Sequence, residues 1–123
     1  LPMCADLGVG CVPYSPLGKG RLARPWGADT QRGSVDQVAK SFDLDVDQPV
    51  VEAVQAIAAE HDTSMEKIAM AWVLSKAVVT APIVGATKTH HLADAVAALD
   101  VTLSDEEVRR LEEPYTTQPA YWW

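Results

Sequence analysis

The stretch GVGCVPYSPLGKGRL, residues 8–22, joins an apolar run to a polar, glycine-rich segment. Residues 9–13 form a short continuous apolar run of the kind that makes a buried β-strand. Residues 14–22 then supply an aromatic ring, a hydroxyl, two glycines and two cations directly after it. Loops at the ends of strands commonly carry binding residues on a rigid scaffold. The stretch therefore predicts a strand whose exit loop holds a ligand.

Composition and charge limit the classes of function. The chain has 123 residues, of which 48% are hydrophobic and 22% charged, and its formal net charge is −7 at pH 7. These values are typical of one globular domain or a part of one. Binding to nucleic-acid phosphates needs clustered Lys and Arg, so no nucleic-acid partner is expected. A small anion can still bind at a few local cations, because charges act strongly at short range.

Cysteine usage and hydropathy favour a reducing compartment. Cys4 and Cys11 lie seven residues apart, and two buried free thiols are favoured over a disulfide. No further ligands lie near them at a useful spacing, so no metal site is expected. The sequence has no apolar run of membrane-spanning length and no signal-peptide pattern, which predicts a cytoplasmic protein with no membrane partner.

The order of elements follows from periodicity and turn residues. We expect a helix end at residues 1–7 stopped by Gly8, a strand at 9–13, a long loop at 14–47, two helices, a second strand that starts at Val78 and ends near Pro82, and two more helices. Pro49 suits the first turn of a helix, Thr63 or Ser64 caps the next one, and SDEE at 104–107 is a capping box. Pro114 ends the last helix. The predicted core-facing stripes are Val50, Val54, Ile57, Ala58 and His61; Met65, Ile68, Ala69, Trp72 and Val73; Leu92, Ala95, Val96 and Leu99; and Val108 and Leu111.

Strands that alternate with helices predict an α/β fold with parallel pairing and a right-handed crossover. Two strands alone cannot form a parallel sheet with both faces covered, because each strand still needs neighbours for its backbone groups. Either the chain associates along its strand edges, or it is part of a larger α/β domain.

Three blocks of the sequence, in order, resemble the C-terminal part of the aldo-keto reductase family, from the seventh barrel strand to the end. They are GVGCVPYSPLGKGRL, SMEKIAMAWVLSK and VVTAPIVGATKTHHLADAVAALDVTLSDEEVRRLEEPY. The third block is most similar to bacterial members of the aryl-alcohol and sugar-type group. The resemblance implies a (β/α)8 TIM barrel, of which residues 1–123 are the C-terminal portion: the last two strands, their helices and a tail at 113–123. The rest of the barrel is then a missing partner.

The same resemblance implies an NADP-dependent oxidoreductase that reduces aldehydes or ketones to alcohols. Tyr14 matches the aromatic residue that stacks on the nicotinamide, and the loop that crosses the pyrophosphate is matched by Ser15, Leu17 and Lys19. The residue types agree, since Tyr offers a π-face, Ser a hydroxyl and Lys a point charge, while Gly18 and Gly20 permit close backbone approach. A plain turn is the alternative.

A second cofactor element is implied at the start of the third predicted helix, where backbone donors and the helix dipole suit an anion. In the family this segment binds the 2′-phosphate and adenine of NADP. The matching residues are Gly85, Ala86, Thr87, Lys88, His91 and Asp94. Ala95 departs from the asparagine of many members, and a solvated pair of His90 and His91 is the alternative there.

The family's catalytic tyrosine, lysine, aspartate and histidine lie on earlier strands, so no catalytic residue is assigned to this chain and activity of the chain alone is not expected. A carbonyl compound is the expected substrate, and its candidate contacts are Trp26, Tyr121, Trp122 and Trp123. Packing of these rings on the barrel is the alternative. The competing hypothesis for the whole chain is a non-catalytic module that associates through exposed strand edges.

Overall fold

A computed structural model describes residues 1–28 and 45–117 of the chain. Its helices in these ranges are α1 (Pro2–Asp6), α2 (Gln48–Glu60), α3 (Met65–Leu74), α4 (Thr89–Ala97) and α5 (Asp105–Glu112). Short 3₁₀ segments cover Gly18–Ala23, Asp45–Asp47 and Ala98–Asp100. Most of the predicted loop beyond residue 28, and the predicted substrate contacts Tyr121, Trp122 and Trp123, lie outside the described residues. Within them, every helix is too short or too polar to cross a membrane.

Two extended segments pair in parallel, as the alternation of strands and helices predicts. Cys11 bridges Val79, and Tyr14 bridges Ile83. The backbone N–H of Cys11 donates to the carbonyl of Val78 at 2.6 Å, and the N–H of Thr80 donates back to the carbonyl of Cys11 at 2.8 Å. In the described ranges these contacts stay isolated bridges, so the prediction of continuous strands at 9–13 and from 78 to near Pro82 is wrong. A pair of strands without further neighbours is marginally stable at best, because its outer backbone groups have no partners in a sheet.

The side chains of these segments are also more exposed than predicted. Val9, Val12 and Ile83 keep 54%, 58% and 57% of their surface exposed. The cysteines are half-buried rather than buried, and both are free. The apolar faces of the pair therefore lack the cover that a complete α/β sheet would provide.

The core lies between α2, α3 and α5. Ile57 of α2 and Ile68 of α3 are fully buried, and Leu111 of α5 is 6% exposed. The complete cluster is Val51, Val54, Ile57, Ala58, Met65, Ile68, Ala69 and Leu111. The predicted faces of α2, α3 and α5 are confirmed in outline: Val51 replaces Val50 on α2, His61 lies at the exposed end of that helix, and Trp72 and Val108 are half-buried. Ser64 precedes α3, but its hydroxyl does not cap the helix.

Ion pairs hold α5 across the ends of α2 and α3. Arg110 donates to both carboxylate oxygens of Glu60, at 2.6 and 2.8 Å. On the other side, Trp72 Nε1 donates to Glu112 at 3.0 Å, and Lys76 pairs with the same carboxylate. These contacts join residues 36 to 50 positions apart in sequence. They therefore hold α5 against α2 and α3 and do not stabilise any single helix internally.

The predicted capping box of α5 is confirmed. The Ser104 hydroxyl accepts from the N–H of Glu107 at 3.3 Å, and the Glu107 carboxylate accepts from the N–H of Ser104 at 2.7 Å. That carboxylate also lies 2.5 Å from Nε2 of His61 at the end of α2. Glu107 therefore both starts α5 and ties it to α2.

The predicted stripe on α4 does not face the core. Leu92, Val96 and Leu99 are 56%, 58% and 68% exposed. The helix meets α3 along another face, where Asp94 lies 3.5 Å from Lys67 and the residue after the helix, Ala98, is buried. Periodicity identifies an apolar stripe, but it does not say whether the neighbouring helices cover that stripe.

We predict that stability depends on pH through Glu107. Hydrogen bonds from the Ser104 side chain and backbone, and then from His61, lower the pKa of Glu107 to about 2. An unfolded glutamate titrates near ~4.3, so the folded state is favoured by ionised Glu107 above that pH. The free energy of unfolding should fall as the pH drops from about 4.3 toward 2. Glu107→Gln, which keeps a side chain able to cap, should flatten this decline. Urea titrations at a series of pH values measure the free energy of unfolding. An identical decline with falling pH in the parent and in Glu107→Gln would contradict the assignment.

Candidate functional site

The close approach of the two extended segments depends on Gly10. A Cβ atom built at Gly10 would lie 2.2 Å from Oγ1 of Thr80. That distance is far inside van der Waals contact, so a larger residue must displace the opposite segment or force the threonine out of its rotamer. Glycine at this position therefore permits the register that places Tyr14 opposite Ile83.

Both predicted cofactor segments leave this pair at the same edge. The N–H of Ile83 donates to the carbonyl of Pro13 at 2.8 Å, and Tyr14 bridges Ile83 in parallel. In a parallel arrangement the chains that follow both segments emerge at one end, where α/β proteins commonly bind ligands. The loop that begins with Ser15 and the segment 85–88 are brought to that edge. The Tyr14 side chain is 79% exposed there.

The loop after Tyr14 has an unusual run of left-handed backbone. Ser15, Gly18, Lys19 and Gly20 have φ values of +57°, +54°, +58° and +88°. Leu17, with φ −96° and ψ 15°, precedes the left-handed Gly18. The N–H groups of Gly18 and Gly20 donate to the carbonyls of Ser15 and Leu17, both at 2.9 Å, so the loop is a tight turn closed by its own hydrogen bonds. Left-handed backbone costs a residue such as Ser15 about 1–2 kcal/mol, which is the kind of strain found at functional sites.

Apolar contacts and one ion pair fix this loop to the helices. Leu17, Leu22 and Trp26 pack against the core cluster. Arg21 donates to Asp47, immediately before α2, at 2.8 Å. Leu17 and Trp26 thus pack on the helices, and their contacts with cofactor and substrate stay predictions. Arg21 and Asp47 are 26 residues apart, and nothing in the sequence pattern predicts their pairing.

The second segment leads directly into α4. Residues 85–88 are exposed, and Lys88 precedes the helix with extended backbone, φ −138° and ψ 151°. No side chain in the described part of the chain caps the N-terminus of α4. Lys88 therefore stands at the positive N-terminal end of α4, which is an arrangement suited to an anion.

The remaining predicted residues lie along α4. The rings of His90 and His91 meet edge to face, with centroids 4.5 Å apart, and His91 is half-buried. Asp94 is paired with Lys67 of α3, a contact that the sequence does not suggest. The carboxylate of Asp94 thus has a partner already in place. Among the described residues, no cluster of His, Cys, Asp and Glu is arranged to hold a metal ion.

Known proteins match the chain along almost its whole length. Residues 1–115 match the aldo/keto reductase family. Versiconal hemiacetal acetate reductase from Aspergillus parasiticus is 36% identical over 126 residues, a match that covers 98% of this chain and 36% of the relative. Putative aryl-alcohol dehydrogenases from Schizosaccharomyces pombe and Saccharomyces cerevisiae are also 36% identical and cover 97% and 96% of this chain, but 34% and 35% of their own lengths.

The chain therefore spans about a third of the length of the curated relatives it matches. These three relatives are fungal, so the expected grouping with bacterial members is not confirmed.

We predict that Gly10→Ala loosens the site by separating the two segments. The added Cβ meets Thr80 Oγ1, and we expect a loss of roughly 1–3 kcal/mol in the free energy of unfolding. Thr80→Ala removes Oγ1, while Cβ of Thr80 lies at an ordinary 3.5 Å, so the double variant should recover most of this loss. Gly85→Ala is the control, because nothing lies within 4 Å of the atom it adds. Urea denaturation of the parent, Gly10→Ala, the double variant and Gly85→Ala gives the free energy of unfolding of each protein. A double variant as unstable as Gly10→Ala would show that the Thr80 contact is not the cause.

Proposed function

The chain belongs to the aldo/keto reductase family, and we propose that it forms the C-terminal, cofactor-binding part of an NADP-dependent oxidoreductase that reduces aldehydes or ketones to alcohols. The bridge between Tyr14 and Ile83 carries the proposal, because it brings both anion-suited segments to one edge. The remainder of a (β/α)8 barrel would supply the other strands and the groups that transfer the proton.

We assign Tyr14 to the nicotinamide end of the cofactor. Its ring is 79% exposed at the edge, although its backbone is fixed opposite Ile83. An exposed ring on a fixed backbone is a rigid stacking surface. The Ser15 hydroxyl, on the next residue, lies at the same edge as a hydrogen-bond donor.

We assign the loop from Leu17 to Gly20 to the pyrophosphate. The N–H groups of Gly18 and Gly20 donate within the loop, so the positive charge of the Lys19 side chain is the group that we propose for the pyrophosphate. Packing of Leu17 on the core and the Arg21–Asp47 pair hold the loop in this shape before any ligand binds. Pre-organisation of this kind reduces the entropy lost on binding.

We assign residues 85–88 and the start of α4 to the 2′-phosphate and adenine. Lys88 provides a charge beside the uncapped helix N-terminus, Thr87 a hydroxyl, and His91 a ring one turn further on. A 2′-phosphate is the group that distinguishes NADP from NAD, and a cation near it is a common means of that selection. Asp94 acts through its pair with Lys67, which limits its freedom to bind the adenine directly.

When bound, the nicotinamide cofactor supplies a hydride for the carbonyl carbon of the substrate. The residues of this chain hold and orient the cofactor at its ring, its pyrophosphate and its adenosine end. They contribute no group that donates the proton, which we place in the rest of the barrel. An aryl carbonyl compound is the proposed substrate class, because two of the relatives are named as putative aryl-alcohol dehydrogenases. The free cysteines favour a cytoplasmic setting.

A non-catalytic module is the second candidate function. The exposed apolar residues Val12 and Ile83 on the paired segments favour it, because bare sheet faces and edges attract partners. In a complete barrel, the other strands and helices would cover Val12 and Ile83. Scattering from the 123-residue chain alone separates the two: a stable, defined oligomer supports the module, and a loose or partly folded chain supports the barrel.

We predict that Lys88→Ala, made in a protein that includes the rest of the barrel, weakens NADPH binding about tenfold or more and leaves NADH binding nearly unchanged. Lys19→Ala should weaken both cofactors to a similar degree, because the pyrophosphate is common to them. Fluorescence titration of each cofactor gives the Kd values.

Arg109→Ala is the matched control, since it removes an exposed cation whose ion pairs among residues 1–28 and 45–117 are with Glu106 and Glu113 of its own helix region. It should leave both Kd values at the parent level. Equal losses of NADPH and NADH binding in Lys88→Ala would contradict the assignment of Lys88 to the 2′-phosphate.

A further inference from the structure

One ion pair joins α4, the helix that we assign to the adenosine end of the cofactor, to the core helix α3. Oδ1 of Asp94 on α4 lies 3.5 Å from Nζ of Lys67 on α3, and the two side chains are 34% and 26% exposed. Ile68 and Ala69, the residues that follow Lys67, are buried in the core, so the backbone that carries this ammonium is fixed. Solvent screens a partly buried pair less than an exposed one. Lys67 therefore holds a positive charge at a defined place beside α4.

The position of Asp94 on α4 opposes the binding of an anion at the start of this helix. Asp94 is the one carboxylate of Thr89–Ala97, and it follows the first residue of the helix by five positions. Five positions correspond to about 7.5 Å along a helix axis, which is within the Debye length of about 8 Å at physiological ionic strength. An unpaired Asp94 would therefore repel a phosphate that Lys88 and the helix dipole attract. Pairing with Lys67 cancels this repulsion.

We propose that Lys67 is a positioning residue that makes the adenosine end of the site selective for a 2′-phosphate, because it holds and neutralises Asp94. The inference rests on the proposed function, since it concerns the same cofactor segment. Lys88 attracts the phosphate at the helix start, whereas Lys67 acts through Asp94 and removes the nearby charge that disfavours it. Selectivity for NADP over NAD thus depends on a residue of the core helix as well as on the cation at the site.

Two adenosine fragments test this role without the nicotinamide. Adenosine 2′,5′-bisphosphate and 5′-AMP differ only in the 2′-phosphate, and calorimetric titration of a protein that contains the rest of the barrel gives the Kd of each. In Lys67→Met, the Kd of the bisphosphate should rise about fivefold and that of 5′-AMP less than about twofold, because the exposed Asp94 charge acts mainly on the additional phosphate. The loss should shrink in about 0.5 M NaCl, since salt screens this charge.

Further variants separate the charge of Lys67 from its packing. Lys67→Arg keeps the positive charge and should bind both fragments as the parent does. Asp94→Asn, added to Lys67→Met, should restore most of the preference for the bisphosphate, because the repelling charge is gone. Lys76→Met is the matched control, since it breaks an ion pair with Glu112 beyond the other end of α3, where the lysine side chain is 21% exposed. It should leave both Kd values at the parent level.

The outcomes distinguish a failure of this inference from a failure of the proposed function. An equal loss of affinity for both fragments in Lys67→Met would show a purely structural role and would overturn the proposal. A preference for the bisphosphate that Lys67→Met leaves unchanged would overturn it as well. A parent that binds neither fragment, or that binds both equally, would instead contradict the proposed NADP site, and the role of Lys67 would fall with it.

Discussion

The contact between the backbone at Gly10 and the side chain of Thr80 is the constraint on which the site depends. Because no Cβ stands between them, the two extended segments lie close enough for Cys11 and Tyr14 to bridge Val79 and Ile83. Their parallel direction then fixes which chain ends emerge together. The exposed ring of Tyr14, the left-handed loop and the start of α4 follow from that one register.

A second set of contacts makes this arrangement stable. The helices α2, α3 and α5 bury Ile57, Ile68 and Leu111 and are joined by ion pairs at their ends. The proposed cofactor loop packs on this core through Leu17 and Leu22, and Arg21 pairs with Asp47 before the start of α2. The binding segments thus belong to loops, but the shape of the first one is set by rigid helices.

The sequence predicts the helices well because periodicity and capping act over a few residues, as at Ser104 and Glu107. It predicts the strands poorly, because a strand depends on pairing with segments that are distant in sequence. Among the described residues, each extended segment has one such neighbour. The sequence also predicts wrongly that the apolar stripe at Leu92 faces the core, for a similar reason. An apolar helix face is suited to burial, but the pattern does not identify the element that covers it. Left-handed backbone at Ser15 and Lys19 has no composition signal, and the Arg21–Asp47 and Lys67–Asp94 pairs join residues that are distant in sequence. The proposed cofactor roles of Tyr14 and Lys88 come from the resemblance to the family, whereas physical pattern alone allows a plain turn.

Hydrogen exchange of a protein that contains the rest of the barrel tests most directly whether one NADP molecule joins the two segments. The account predicts that NADP slows amide exchange in residues 15–20 and in residues 85–91 together, with the same dependence on cofactor concentration. Protection of one segment without the other, or protection at two different concentrations, would contradict the claim that both hold the same molecule.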